Sequence, residues 1–464
     1  VALVQTPQSF YNPDPIARNL GMEDVLTPEE EVFYRQIQRV RDGAGGVVCA
    51  GTSFVVRRTA LESVGGFVTE AVSEDFFTGI RLTAKGYRLI YLSEKLSAGL
   101  AAENIASHAV QRVRWAQGTL QSFFISANPL TIPGLSFMQR LAYFEGLLHW
   151  FSSIARVGFL LMPLAYAFGV TPLAIEDNGI LYFFLPYYLV QLATFSWLNY
   201  RSRSALLSDV YSLVLAFPLA LTVLRVMVRP FGRGFQVTPK GTVSDRYRFN
   251  WDLAWPLVVA FGLTAVSLWI NLGNSLMMDE WGGAAHLRGM ALGWIWSAYN
   301  LMMIGIALLI LLDAPNPDNR EWFDLRRIVK LSVQTPDQAT TTYWGYSTML
   351  SERGGEFALT TAPTAELSEA PVTVELMDES IQLTGKVVRM APGELPLVRI
   401  SFEQPPLPSE RQLVALLFCR PGQWRSRCAP GELRSLWLIL AILLRPRVLF
   451  DRDVDIRPVQ VTQV

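Results

Sequence analysis

The chain has 464 residues, of which 51% are hydrophobic and 17% charged, with 40 Lys and Arg balancing 40 Asp and Glu. That balance gives nucleic acid no electrostatic footprint, and a mean hydropathy of +0.26 is apolar for a water-soluble protein. The apolar excess lies between about residues 141 and 314, so the length divides into several units.

In chain order, Val1-Ala2-Leu3-Val4-Gln5 reads as a strand already inside a sheet, and the expectation is a domain whose first part lies upstream. Residues 1–135 read as the second half of an α/β domain. Val47–Val56 is apolar and β-rich, Asp75–Lys85 has helical spacing through Ile80, Leu82 and Ala84, and Tyr87–Leu92 is a short strand after Gly86. The spacing predicts a helix over Glu103–Phe124, which puts Gln111, Arg114 and Trp115 at i, i+3 and i+4 on one face. Cys49, Cys419 and Cys428 show no metal-ligand spacing and are expected as free thiols in a reducing compartment.

Two adjacent carboxylates in Ser73-Glu74-Asp75, with Gln111, Arg114 and Trp115 roughly forty residues on, form a chemical kit. A carboxylate can deprotonate a sugar hydroxyl, an arginine can offset charge on a departing phosphate, and an indole offers a flat apolar face to a sugar ring. The bland alternative is an exposed helix start with Ser73 as its cap.

Next come span-length apolar stretches: Leu141–Val170, Ile180–Tyr200, Leu253–Leu272 and Ala291–Leu312. Leu206–Val228 is apolar too but carries Asp209, Pro218 and Arg225. Thr171–Gly179 and Met277–His286 carry no Lys or Arg, whereas Arg201, Arg203 and Arg229–Arg248 are basic. The charge bias places 201–205 and 229–250 on the same, cytoplasmic side, so Leu206–Val228 is expected to lie along the membrane or re-enter it. Arg156, inside an apolar run, is expected to face polar matter. Beyond the Asp313–Asn319 linker, six short segments are expected to form a small antiparallel barrel: Lys330–Val333, Glu356–Thr360, Val372–Leu376, Ile381–Met390, Leu397–Phe402 and Leu413–Phe418. Leu433–Leu444 is helical but too short to span.

Ser73-Glu74-Asp75 resembles the Thr-Glu-Asp motif, and Gln111-x-x-Arg114-Trp115 the Gln-x-x-Arg-Trp motif, of processive inverting glycosyltransferases such as cellulose synthase catalytic subunits. Val4-Gln5-Thr6-Pro7-Gln8, Asn12-Pro13-Asp14-Pro15, Gly51-Thr52 before Arg57-Arg58, and Phe235-Gln236-Val237-Thr238-Pro239-Lys240-Gly241 follow the same pattern in the same order. The resemblance implies a multidomain protein. Its parts would be a partial α/β domain of GT-A type (1–135), an α-helical transmembrane channel region (136–314) with an interfacial helix and a gating loop at 229–250, and a PilZ-like barrel with a C-terminal helix and tail (315–464). It implies Asp75 as general base beside Glu74, with Gln111 and Arg114 near the pyrophosphate and acceptor and Trp115 under the terminal sugar. Phe235, Val237, Thr238 and Lys240 would form the loop that closes over the donor. The implied reaction transfers glucose from UDP-glucose to a β-1,4-glucan that is passed across the bacterial inner membrane, with the catalytic and barrel domains cytoplasmic. Implied partners are the nascent glucan, membrane lipid, a periplasmic accessory subunit and further copies of the chain. Curdlan (β-1,3) or mixed-linkage synthesis, and a non-catalytic channel or scaffold, are the rival readings.

Donor binding in such enzymes uses Mg2+ or Mn2+ on an Asp-x-Asp motif, which is expected upstream. The pattern Asp451-Arg452-Asp453 with Asp455 reads as a solvated charge run, so this chain alone is not expected to catalyse. PilZ domains grip cyclic di-GMP through Arg-x-x-x-Arg and Asp-x-Ser-x-x-Gly. Here the matching positions are Arg326, Lys330, Met349, Ser351 and Gly354. Lysine loses the planar fork and methionine the acceptor, so the reading expects a degenerate, structural or weakly responsive barrel.

Overall fold

The computed structural model describes residues 1–170, 180–232, 234, 238, 244–316, 321–334, 340–363, 370–420, 422–424, 426–450 and 459–460, except 281–289. Of the gating-loop residues only Thr238 is among them; Phe235, Val237 and Lys240 lie outside the described residues, as does the Asp451–Asp455 run.

The N-terminal domain is built on a three-stranded sheet. Leu3–Gln5 is its centre, antiparallel to Phe54–Val56 and parallel to Leu89–Tyr91. Only the last three residues of the expected Val47–Val56 strand pair in it. Ala2, Leu3, Val47, Cys49, Leu82 and Leu89 fill one cluster around it. A second cluster joins Phe76, Phe77 and Ile80 of the helix Glu74–Ala84 to Tyr143 and Leu147. The helix Ile105–Leu120 starts at Asn104, whose Oδ1 accepts from the Ser107 amide at 2.8 Å, the side-chain cap that an N-terminus needs. A single tight turn, Gln121–Phe124, ends it close to the expected boundary.

Among the described residues, three helices are long and apolar enough to cross a membrane: Phe137–Ala167, Trp251–Asn274 and Leu292–Ile310. The first has 31 residues, which at ~1.5 Å each exceeds a ~30 Å hydrocarbon core. Ile180–Tyr200, expected as a span, is helical over 180–198 but in two parts, a wide turn Ile180–Phe184 followed by Leu185–Leu198. Leu206–Val228 breaks into Ala205–Val214 and Ala216–Val228, bent by 63°. Pro218, in the first turn of the second helix, has no N–H to offer the carbonyl at 214, which accounts for the break.

Pro163 lies inside the first long helix and leaves the Phe159 carbonyl without its intrahelical donor. Asn300, from the helix Met290–Ile310, supplies one: its Nδ2 donates to Phe159 O at 3.4 Å and Leu160 O at 3.2 Å. Arg156 pairs with Asp209 at 3.0 Å, and the Tyr299 hydroxyl donates to the same carboxylate at 2.9 Å. The charge expected to face polar matter thus meets a carboxylate on the bent pair.

The C-terminal barrel is closed. Its order is Gly354–Leu359, Leu397–Phe402, Ile381–Ala391, Pro371–Leu376, Ile328–Gln334 and Thr340–Ser351, which pairs back onto the first. Six strands were expected, but the set differs. Thr340–Ser351, rich in Thr, Tyr and Trp, is the sixth strand. Leu413–Phe418 is instead the end of the helix Leu407–Phe418, begun at Pro406 and Pro408, whose Leu413, Leu416 and Leu417 close the barrel core. The helix Glu432–Leu444 leaves the barrel and packs Ile439 and Ile442 against the membrane helices and Ile16, Leu20 and Ile105.

Candidate active site

The turn Val72–Ser73 and the helix Glu74–Ala84 face the helix Ile105–Leu120. Ser73 precedes the first helical residue, yet its side chain makes no capping hydrogen bond; it packs on Gly118. Of the bland reading, the helix start at Ser73 and the exposure of Glu74 are present but the Ser73 side-chain cap is not. Asp75 is half-buried. Its Oδ1 accepts from the Phe76 amide at 2.7 Å, and its Oδ2 lies where a side chain on Gly51 would come within 2.5 Å. Gly51 has φ +73°, a left-handed conformation that glycine adopts without penalty, so the Gly51-Thr52 turn can approach the carboxylate closely. Burial, and then the neighbouring Glu74, push the Asp75 carboxyl up to about 6, while Arg114 and the Phe76 amide pull it down. Glu74 itself is exposed.

Arg114 thus lies near enough to act on Asp75, and Trp115 follows it on the helix Ile105–Leu120. Gln111 lies on that helix one turn earlier. The Arg112 guanidinium carbon stands 4.5 Å from the Trp115 indole centroid. Thr238 is half-buried, and its hydroxyl is shielded from solvent with no hydrogen-bond partner among the described residues. The barrel positions are satisfied internally. Lys330 pairs with Glu375 at 3.4 Å, the Ser351 hydroxyl donates to Gly354 O at 3.1 Å, and Arg326 lies 5.9 Å from the Tyr346 ring.

Behind Trp115 is a buried charge network that sequence reasoning missed. Arg112 meets Glu29 at 2.5 Å and Glu30 at 3.2 Å; His108 and Arg203 approach Glu29 at 3.5 and 3.7 Å. Arg203 also lies over the Tyr211 ring at 4.5 Å, and the Tyr211 hydroxyl donates to Asp14 at 3.4 Å. Burial alone would raise the Glu29 carboxyl, but Arg112, Arg203 and His108 hold it down at about 2. Glu30, with a smaller share of Arg112, is raised by burial. Burial and Arg112 lower His108 to about 4, so it is neutral at pH 7. The available signal was the acidic run Glu29-Glu30-Glu31 after Pro28; nothing in it points to residues 112 and 203.

Among the described residues no three His, Cys, Asp or Glu side chains gather to hold a metal ion. The thiol of Cys49 is buried and pushed up to about 12, while Cys419 and Cys428 are exposed; all three are free. A cavity of about 720 Å³ is lined by Arg35, Arg39, Lys95, Trp197 and Tyr200 among others, and by none of Asp75, Gln111, Arg114 or Trp115.

Residues 1–228 match the profile of the family described as Glycosyl transferase family group 2. The chain is 36% identical over 315 residues to a cellulose synthase catalytic subunit [UDP-forming] of Pseudomonas fluorescens, covering 68% of this chain and 42% of that one. It is 31% identical over 470 residues to the cellulose synthase 1 catalytic subunit [UDP-forming] of Komagataeibacter xylinus, covering 97% and 60%. The chain therefore spans less than two thirds of either relative. The solved PilZ domain of a CeSA from a cellulose-synthesizing bacterium is 18% identical and covers 21% of this chain, with a TM-score of 0.17, too low to carry weight.

Proposed function

We propose that this chain, whose residues 1–228 match the family described as Glycosyl transferase family group 2, is part of an inverting, membrane-embedded synthase that transfers glucose from UDP-glucose to a growing β-1,4-glucan. The observation that carries the reading is the Asp75 carboxyl, half-buried against Gly51 beside the Arg114-bearing helix and raised to about 6. A general base works best with a pKa near the working pH. The ionised carboxylate takes the proton of the acceptor hydroxyl. That oxygen attacks the anomeric carbon from the face opposite the phosphate, and the bond to the nucleotide breaks, releasing UDP with inverted configuration. Arg114 offsets charge developing on the leaving group, and Trp115, backed by Arg112, offers its ring to the acceptor sugar. The Thr238 hydroxyl, without a partner among the described residues, is one donor that a closing loop brings to phosphate. Among the described residues no three His, Cys, Asp or Glu side chains gather for the Mg2+ or Mn2+ usual in this family, and no step here depends on it. Translocation of the glucan, and placement in a bacterial inner membrane with both domains cytoplasmic, belong to the same proposal; the three span-length helices fit it.

Asp75→Asn in the full-length enzyme tests the reading. Incorporation of labelled glucose should fall about 10²–10⁴-fold, because the amide cannot take the proton, while UDP affinity holds. Retention of more than roughly a tenth of the wild-type rate removes Asp75 from this role. Linkage analysis of the wild-type product separates β-1,4 from β-1,3 or mixed-linkage glucan.

A further inference from the structure

We propose that Gly118 and Gln121 are positioning residues for the transfer: they seat the turn that carries Asp75 and tie it to the chain leaving the bent helix pair at Pro230. The inference rests on Asp75 being the base. Both residues follow Trp115 along the same stretch of chain, at the third and sixth positions after it. The backbone of Gly118 touches Ser73 so closely that a Cβ there would run into the Ser73 hydroxyl, with the Ser73 Cβ at 3.0 Å and its amide nitrogen at 3.2 Å. The last two are not ends of a flexible side chain. Any residue but glycine therefore shifts Ser73, and with it Asp75 two residues on.

Gln121 is 1% exposed, and both ends of its amide are used on backbone from distant segments. Its Oε1 accepts from the Val72 N–H at 3.0 Å, and its Nε2 donates to the Pro230 carbonyl at 2.8 Å. Val72 lies three residues before Asp75. Pro230 lies two residues after Val228, the end of the bent pair, where the basic segment 229–250 begins. One planar amide thus sets the distance between the turn carrying the base and the exit of the membrane pair. Neither bond can be replaced by water without opening the core, since Ser122 and Leu120 beside it are fully buried. A base displaced by about 1 Å loses ~10²-fold in rate, whereas groups that bind the donor from elsewhere are unaffected. The signature of the role is a fall in kcat with little change in KM for the donor.

The test uses the full-length membrane enzyme, reading labelled-glucose incorporation, UDP affinity and thermal midpoint side by side. Gly118→Ala should lower kcat about 10–100-fold with UDP affinity nearly unchanged. Adding Ser73→Ala, which removes the nearest clash, should restore part of that loss. Gln121→Leu, which deletes both bonds, should give the same pattern. Gln121→Glu keeps an acceptor for the Val72 amide but opposes the Pro230 carbonyl with a second oxygen unless that oxygen is protonated. Its activity relative to wild type should therefore rise as pH falls, even though the wild-type rate itself declines. Wild-type kcat in Gly118→Ala and Gln121→Leu, alongside an inactive Asp75→Asn, overturns this inference and leaves the base in place. Loss of UDP affinity in step with kcat also overturns it. An active Asp75→Asn removes the base reading itself.

Discussion

Asp75 combines two properties that pull against each other: it is half-buried against Gly51, which disfavours charge, and its proposed work needs it charged. With its carboxyl raised to about 6 by burial and Glu74, only the ionised form can accept a proton. The rate should accordingly fall as pH drops through about 6 and level off above it; a pH–rate profile of the full-length enzyme that is flat from about 5 to 8 excludes Asp75 as the titrating base. The same shift has a cost in stability. A carboxyl raised above its ordinary value of 3.8 binds its proton more tightly folded than unfolded, so stability declines as pH rises from about 4 through 6 and stays reduced above. Asp75→Asn should thus stabilise the fold near pH 8, by about 3 kcal/mol at most, and do little near pH 4. Paired thermal midpoints at the two pH values check this, and equal shifts at both would refute it. Glu29 shows the opposite sign. Held at about 2 by Arg112, Arg203 and His108, it contributes stability above the ordinary carboxylate range that is lost as pH falls from about 4.5 toward 2.

At the scale of elements, the membrane helices show how a broken local rule is compensated by a neighbour. Pro163 frees the Phe159 carbonyl inside an apolar helix, where an unsatisfied carbonyl is costly, and Asn300 satisfies it from across the bundle. On the other side, Ser267 donates to the Pro163 carbonyl at 2.9 Å and Asn271 to the same oxygen at 3.2 Å. Asn300→Leu should therefore lower the thermal midpoint by an amount equivalent to roughly 0.6–2 kcal/mol. With Pro163→Ala as background, where the helix regains its own N–H, the effect of Asn300→Leu should shrink; an undiminished effect means that Asn300 only packs. The apolar periodicity of these helices was readable because length and composition alone define them. Their pairing partners were not. Arg156 stood out as a charge in an apolar run, but nothing local to it announces Asp209, 53 positions on in sequence. The same holds for Glu29 with Arg112 and Arg203: an ion pair between distant segments leaves no local period to read. The barrel failed differently. Leu413–Phe418 is an apolar run short enough to suit either a strand or a helix end, and the two prolines before it decide for the helix.

For the whole molecule, the question is what the barrel can tell the membrane region. The connection exists. The Glu432 carboxylate, just past the barrel, accepts from the Ser204 hydroxyl and the Ala205 amide at 2.8 Å and from the Leu206 amide at 3.2 Å, capping the first helix of the bent pair. Arg447, beyond the helix that Glu432 begins, meets Glu23 of the N-terminal domain at 2.6 Å. The barrel's receiving end is what departs from the PilZ pattern. Lys330 stands where that pattern has arginine and is already engaged by Glu375; Met349 offers no carboxylate; the Ser351 hydroxyl turns inward to Gly354 and is fully buried. Each lost charge-assisted hydrogen bond costs roughly 1.5–3 kcal/mol, about ten- to a hundredfold in affinity. Two such losses, plus the need to displace Glu375 from Lys330, should leave the full-length protein without low-micromolar affinity for cyclic di-GMP, and its transfer rate should not respond to the nucleotide. Restoring the fork and the acceptor together, with Lys330→Arg and Met349→Asp, should bring binding back by at least about tenfold. Calorimetry on both proteins decides it. Low-micromolar binding by the unaltered protein would show that other side chains have taken over the two missing contacts. No gain in the double variant would show that the barrel's geometry, rather than these two residues, has closed the site.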